Sequence, residues 1–125
     1  MPDNNRTPYA VELDLARDAA EEAGALVLER QRTIQSIEFK GDTDLVTDVD
    51  RASEALIVER IQRRFPDDTI LAEEGSGHGL GSDERRIWLI DPLDGRTNYA
   101  HGFPIYAVSI ALVVDERPAV GVVHV

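Results

Sequence analysis

Two segments of the sequence carry apolar residues at the spacing of an amphipathic helix. In the first segment, an apolar residue recurs every three or four positions, at Leu13, Ala16, Ala20, Ala23 and Val27. This period predicts a first helix over roughly residues 8–34. A second periodic run contains Ala55, Val58, Ile61 and Phe65, follows the candidate caps Thr47, Asp48 and Asp50, and is ended by Pro66.

Shorter apolar segments and turn residues predict β-strands in the rest of the chain. Residues 36–40 alternate apolar and polar positions, and residues 69–72 form a brief apolar run. Residues 75–81 are rich in Gly and Ser and predict a mobile loop. The run at residues 87–90 is apolar throughout and stops at Asp91, as a fully buried strand would.

The last third of the sequence has the pattern of a β-hairpin. Two apolar runs, residues 106–114 and 119–125, flank the loop-like residues 115–118. Helices come first and strands follow, so we predict that residues 1–125 form one structural unit of mixed α and β type. The last run leaves an apolar strand at the end of the chain, and we expect further residues or a partner to cover that edge.

Composition narrows the classes of protein to which the chain could belong. Its 125 residues suit one globular domain, no run approaches the ~20 apolar residues of a membrane span, and the first residues do not resemble an export signal. We therefore expect a cytoplasmic protein without a membrane partner. The formal charge of −11 argues against binding to nucleic acid. Because the chain has no cysteine, any metal must be held by oxygen or histidine ligands.

The segment from Asp91 to Asn98 carries the most chemical information. Asp91 ends the predicted buried strand and Asp94 follows three residues later, so two carboxylates can converge on one point. Carboxylate and carbonyl oxygens suit Mg²⁺, which keeps the rest of its coordination shell for water and phosphate. Gly95 permits close backbone approach, and a short helix opening at Thr97 would direct N–H groups towards a phosphate.

Each of these acidic residues also has a purely structural interpretation. Asp48 or Asp50 before a helix is an N-cap in roughly two cases of three, given how strongly caps select Asp. Glu73 and Glu74 can be surface residues, and a lone Asp-x-x-Asp is common in loops. His78, His101 and His124 lack the spacing of metal ligands, and we predict no catalytic role for them.

Taken together, these segments resemble the inositol monophosphatase family in order and spacing. The matching segments are residues 72–76, 88–95, 97–99, 103–104 and 107–111, with Lys40, residues 44–47 and Asp50 upstream. The resemblance extends from about residue 10 to the end and covers only the amino-terminal half of the family's usual length. It implies the family's layered α-β-α sandwich, shared with fructose-1,6-bisphosphatase. This chain would supply the first helices and the first, mostly antiparallel sheet.

The resemblance also implies the roles of individual residues. Glu73, Asp91 and the Leu93 carbonyl would bind a first Mg²⁺, and Asp91 and Asp94 a second. The backbone of residues 95–97, which are Gly95, Arg96 and Thr97, would hold the phosphate. Catalytic roles fall to Asp50 and Glu73, which help a metal-activated water to attack phosphorus, and to Arg96, which stands at a catalytic position of the family.

Arg96 departs from the family pattern, which usually has Thr or Ser at this position. Arginine accepts no hydrogen bond and cannot pass on a proton, although its guanidinium can bind phosphate or pair with Asp50. The residue therefore either adjusts, weakens or abolishes the activity that the resemblance implies.

The predicted function is Mg²⁺-dependent hydrolysis of a small phosphorylated polyol, most simply myo-inositol monophosphate. Fructose-1,6-bisphosphate, nucleotide 3′-phosphate and histidinol phosphate are alternative substrates. A different class of function is a non-catalytic metal-binding or interaction half-domain. We expect a homo-oligomer such as a dimer, or pairing with the part of the family fold that this sequence does not contain.

Overall fold

Two long helices lie against one face of a four-stranded sheet. The computed structural model describes residues 8–36, 43–72, 83–102 and 106–125. In chain order the elements are α1 (Ala10–Ser36), α2 (Thr43–Arg64), β1 (Asp68–Ala72), β2 (Asp83–Asp94), α3 (Arg96–Ala100), β3 (Ala107–Val114) and β4 (Arg117–His124). The predicted order of helices followed by strands is confirmed.

The boundaries of α1 and α2 differ from the sequence-based prediction. Helix α1 continues to Ser36, and the rest of the strand predicted at residues 36–40 lies outside the described residues, as does the loop at 75–81. Helix α2 begins at Thr43, so Thr47, Asp48 and Asp50 lie within it and the prediction that they cap it is wrong. Asp50 is buried inside the helix, where tertiary contacts outweigh its preference for a cap position.

The strands follow the chain in the order β1-β2-β3-β4. Strand β1 is parallel to β2, and the other two neighbouring pairs are antiparallel, which confirms a mostly antiparallel sheet. The prediction that β2 stops at Asp91 is wrong. The strand continues to Asp94 through a register shift between Asp91 and Asp94, so Pro92 lies in an irregular part of the strand.

The core fills the space between the helices and the inner face of the sheet. The sheet contributes Ile70, Trp88, Ile110 and Leu112 to this core. The helices contribute Ala16, Ala20, Ala23, Ile57 and Ile61. Small residues on α1 allow close packing against the strands. A Cβ atom at Gly24 would lie 2.3 Å from Cδ2 of His124, so a glycine permits the approach of β4 to the helix. Ala55, which the periodic pattern included, is exposed.

A buried polar network joins α1, β1 and β2. The indole N–H of Trp88 donates to Oδ2 of Asp68 at 2.9 Å, and Nε of Arg86 donates to Oδ1 at the same distance. Arg86 also donates to Glu12 of α1 at 3.0 Å, and its guanidinium lies over the Phe65 ring. The hydrogen bond to Asp68 is the main reason that the pKa of Arg86 is raised. Every charge in this network has a partner, as burial requires.

The outer face of the sheet is apolar, and no described element covers it. Leu71, Leu89, Ala111 and Val123 line a groove of about 530 Å³ on this face, with Asp91 also in its lining. Leu89 is 42% exposed and Val123 is 65% exposed. An apolar surface of this kind favours association with another surface.

We expect this outer face to drive self-association of the 125-residue chain. Leu89→Lys should shift the chain towards monomer in sedimentation velocity experiments, because it places a charge in the groove. Leu28→Lys is the matched control, since Leu28 on α1 is 41% exposed. A wild-type chain that stays monomeric at high concentration would contradict this prediction.

The β3–β4 hairpin closes with a tighter turn than the sequence indicated. Val114 pairs with Arg117, so Arg117 and Pro118 belong to β4 and the loop contains only Asp115 and Glu116. Both have positive φ, at 50° and 67°. Two successive left-handed residues form a type I′ turn, in which Asn or Asp is favoured at the first position and Gly at the second, so that Glu116 is strained.

Glu116→Gly should therefore stabilise the chain by about 1 kcal/mol, because glycine adopts this φ without a Cβ clash. Thermal unfolding should show a higher Tm. Glu116→Ala keeps the Cβ and should give no comparable gain. Equal effects of the two substitutions would show that backbone strain at this turn is not the cause.

Candidate functional site

The predicted ligand residues Asp91, Leu93 and Asp94 lie at the carboxyl end of β2. Asp91 pairs with Ser109 and Asp94 pairs with Ala107 across the register shift. Leu93 is 1% exposed, whereas Asp94 is exposed. The backbone N–H of Leu93 donates to Oδ1 of Asp91 at 3.3 Å, which fixes the direction of that carboxylate. The irregular strand end thus holds two carboxylates within one short stretch of backbone.

Helix α2 holds this strand end through Ser53. The Ser53 hydroxyl donates to the Pro92 carbonyl at 2.9 Å, and both residues are buried. Residues 92 and 93 lie between the paired positions of β2, where the ladder is interrupted. Ser53 was not among the site residues predicted from the sequence. A serine on the apolar side of a predicted helix was the available signal, because a buried hydroxyl needs a hydrogen-bond partner.

Asp50, one turn before Ser53 on α2, contacts Arg96, the first residue of α3. Nε of Arg96 lies 3.3 Å from Oδ2 of Asp50, and the Asp50 side chain is 1% exposed while that of Arg96 is 41% exposed. Of the two uses of Arg96 that the sequence allowed, the structure shows the pairing with Asp50. A buried carboxylate is thereby brought into contact with a guanidinium.

Gly95 makes the turn between β2 and α3. Its φ of 86° and ψ of 39° are left-handed, a conformation that glycine adopts without strain. The Gly95 carbonyl accepts the first helical hydrogen bond, from the Tyr99 N–H at 3.0 Å. The predicted short helix is confirmed and begins at Arg96, with Thr97 exposed in its first turn.

Tyr99 anchors α3 to α1. Its hydroxyl donates to the Val27 carbonyl at 2.7 Å, and its own carbonyl accepts from Nε2 of Gln31 at 3.0 Å. The ring of Tyr106 packs edge-on at 5.1 Å between centroids. Burial, followed by the neighbouring Tyr106, raises the pKa of Tyr99 well above its usual range. The phenol is therefore a structural donor.

Most of the predicted site residues lie along the end of β2 and the turn that follows it. Asp91, Leu93, Asp94, Gly95, Arg96 and Thr97 are close in sequence around the end of β2, and Asp50 reaches them from α2. Their carboxylate and carbonyl oxygens are the donors that a hard cation prefers. Within the described ranges, however, no three acidic or histidine side chains are grouped closely enough to hold a metal ion.

Glu73 lies outside the described residues, as do Phe103 and Pro104. The described chain next to Glu73 ends at Ala72, the last residue of β1, which pairs with Ile90 directly before Asp91. Of the histidines, His101 is exposed and His124 packs against Gly24, whereas His78 is also outside the described residues.

Comparison with known sequences gives a consistent result. A sequence model of the inositol monophosphatase family matches residues 9–125. An inositol-1-monophosphatase from Synechocystis is 48% identical over 113 residues, covering 90% of this chain and 39% of the relative. A Nus factor SuhB from Escherichia coli is 43% identical over 114 residues, covering 90% of this chain and 42% of that protein.

Comparison of structures agrees with the sequence matches. The structure of an inositol monophosphatase from Anabaena superposes with a TM-score of 0.76 at 42% identity, covering 94% of this chain and 40% of that one. The chain thus spans about 40% of the length of the proteins it matches. The layered α+β fold expected from the resemblance is confirmed for this part.

Ser53→Ala should destabilise the chain by about 1–3 kcal/mol, because the substitution leaves the buried Pro92 carbonyl without its donor. Urea unfolding measures this loss. Thr33→Ala is a suitable control, since the Thr33 hydroxyl also donates to a backbone carbonyl but in an exposed position. If both variants were as stable as the wild type, Ser53 would not be what holds the strand end.

Proposed function

The chain belongs to the inositol monophosphatase family, and we propose that it forms the amino-terminal, metal-binding part of a Mg²⁺-dependent phosphatase. The proposed reaction is hydrolysis of a small phosphate monoester, most simply myo-inositol monophosphate. Fructose-1,6-bisphosphate, nucleotide 3′-phosphate and histidinol phosphate are alternative substrates of the same reaction. The observation that carries the proposal is the irregular end of β2, where Asp91 and Asp94 are followed directly by the Gly95 turn.

The carboxylate and carbonyl oxygens at this strand end are the donor types that a hard divalent cation prefers, although no three acidic or histidine side chains of the described residues are grouped closely enough to hold one. In the proposal, the carboxylates of Glu73, Asp91 and Asp94 and the Leu93 carbonyl hold Mg²⁺. When bound, Mg²⁺ supplies charge stabilisation for the phosphate and the leaving oxygen. The hydrogen bond from the Leu93 N–H orients the Asp91 carboxylate before any cation arrives.

The residues around the turn would bind and orient the other reactants. The backbone of Gly95, Arg96 and Thr97 would hold the phosphate at the end of the strand. Asp50 and Glu73 would orient the attacking water and accept its proton. Since Asp50 is paired with Arg96, its carboxylate would have to interact with both the guanidinium and the water.

Catalysis by the 125-residue chain alone is a separate part of the proposal. The chain covers 39% of the Synechocystis relative and 40% of the Anabaena structure. We propose that full activity needs the remaining part of the family fold, either in the same polypeptide or supplied by a partner. The apolar outer face of the sheet supports such a partner, because it offers a surface for a further layer.

A second candidate function is a metal-binding or interaction module without phosphatase activity. The pairing of Asp50 with Arg96 favours it, because the guanidinium occupies the carboxylate that would orient the water. The name of the Escherichia coli relative, Nus factor, is consistent with a role other than phosphate hydrolysis.

Cellular location and partners remain predictions from the sequence. None of the helices in the described ranges is both long and apolar enough to cross a bilayer. A cytoplasmic location, the absence of nucleic-acid binding and a dimeric state are proposed on composition and on the exposed sheet face.

Phosphate release from inositol-1-phosphate, measured with Mg²⁺ and with a chelator, tests the proposed function. Asp91→Asn should weaken Mg²⁺ binding in calorimetry by at least about 10–100-fold, the loss typical of residues that support a metal site, and should lower phosphate release in parallel. Asp18→Asn, an exposed aspartate on α1, is the control for the lost charge.

The outcomes separate the two candidate functions. Mg²⁺ binding without phosphate release, even after addition of the family's carboxyl-terminal part, would support the non-catalytic module. Unchanged Mg²⁺ affinity in Asp91→Asn would rule out the proposed ligand set.

A further inference from the structure

Helices α1 and α2 form a second surface groove, of about 370 Å³. We propose that this groove binds a second copy of the chain, with the acidic residues of α1 in one copy against the arginines of α2 in the other. The proposal does not rest on the proposed function, and it concerns a different surface from the outer face of the sheet.

The α1 side of the groove combines apolar and acidic residues. Val11 and Leu15 supply apolar surface, with Val11 39% exposed and Leu15 half-buried. Asp14, Asp18 and Glu22 recur every four residues, so they follow one row along the helix, and all three are exposed. An apolar strip therefore runs beside an acidic row.

The α2 side of the groove is basic, because Arg60, Arg63 and Arg64 line it. Arg60 pairs with Glu22 across the groove at 2.8 Å, and Arg63 pairs with Glu59 on its own helix. The groove thus has an acidic wall on one helix and a basic wall on the other.

Asp18 and Arg64 carry the charges that a second copy can neutralise. Both are exposed and line the groove, and neither forms an ion pair with another residue in the part of the chain that the structure describes. Arg64 lies over the Phe65 ring, 5.8 Å from its centroid, a contact that does not neutralise its charge.

The two helices are antiparallel where they form the groove. Glu22 of α1 contacts Arg60 near the end of α2, whereas Val27, farther along α1, packs with Val49 near the start of α2. The amino-terminal half of α1 therefore lies beside the last turns of α2.

A two-fold axis along the groove would bring opposite charges together at two places. Asp18 and Arg64 each lie one helical turn from the Glu22–Arg60 pair, in the same direction, so they are at the same level on opposite sides of the groove. Rotation about this axis places α1 of one copy over α2 of the other without changing that level. Asp18 of each copy then faces Arg64 of the other, and the apolar strip at Val11 faces its own copy.

The overall charge of the chain limits how strongly two copies can associate. Copies that each carry a formal charge of −11 repel each other at low ionic strength. At physiological ionic strength, exposed charges separated by more than about 8 Å are largely screened, whereas charges in direct contact still attract. We therefore expect a weak dimer under physiological conditions, with an interface at the small end of the range for specific contacts.

Charge reversal tests the proposal, with sedimentation velocity at physiological ionic strength as the measurement. Every chain also carries Leu89→Lys, so that the outer face of the sheet does not contribute to association. The Leu89→Lys chain should form dimers at high concentration. Asp18→Arg and Arg64→Asp, each added alone, should weaken dimerisation by about tenfold or more, because each places like charges opposite each other twice.

An equimolar mixture of the Asp18→Arg and Arg64→Asp chains should restore dimerisation. In a mixed dimer, both positions again face the opposite charge, although the two sides have exchanged signs. Glu29→Arg and Arg51→Asp make the same changes of charge at exposed positions outside the groove, and neither should weaken dimerisation.

A single introduced cysteine gives a second measurement, because the chain has none of its own. Val11→Cys should form a disulfide-linked dimer under mild oxidation, since Val11 faces its own copy across the axis. Leu28→Cys, at a similarly exposed position of α1 outside the groove, should form much less of this product.

A Leu89→Lys chain that neither dimerises nor forms the Val11→Cys disulfide overturns the proposal. Dimerisation that the two reversals leave unchanged, or that their mixture does not restore, overturns it too and would indicate contact through another surface. Equal loss in Glu29→Arg or Arg51→Asp would show a general effect of charge and count against the groove. Dimers in the mixture, but in neither reversed chain alone, support it.

Discussion

The buried polar face of α2 sets the position of the strand end on which the site depends. Asp50 and Ser53 lie one helical turn apart, and both are almost fully buried. The Ser53 hydroxyl donates to the Pro92 carbonyl, and Asp50 forms an ion pair with Arg96. Both partners belong to the turn that carries the candidate ligands. Helix α2 can therefore pack on the sheet only in the register that also fixes this turn.

The two faces of the sheet are covered differently. Alanines of α1 and the apolar side of α2 fill the inner face, while the groove with Leu89 and Val123 on the outer face has no cover among the described elements. Asp91 belongs to the lining of that groove, so the candidate ligands lie where the uncovered face meets the site. A layer placed on this face would at the same time enclose the strand end.

The sequence predicted the structure best in segments where one hydrophobic period or one motif dominates. The buried side of α1 followed directly from the spacing of Ala16, Ala20 and Ala23, and the Asp91 to Asp94 segment pointed to the site. The start of α2 and the end of β2 could not be predicted, because tertiary pairing outweighs local signals there. Aspartate is common at N-cap positions, but Asp50 lies inside α2, where it is buried and contacts Arg96. Proline is typical of turns, but Pro92 lies in an irregular part of β2, where its carbonyl accepts a hydrogen bond from the Ser53 hydroxyl.

The anchoring of α3 has a consequence for the order of folding. The hydrogen bonds of Tyr99 to Val27 and Gln31 join residues that are 72 and 68 positions apart. The β3–β4 hairpin, by contrast, closes with a two-residue turn. Contacts across long loops are entropically costly to form and tend to form late, so we expect the hairpin to precede the docking of α3. In that order the hairpin is present before the residues of the candidate site are assembled.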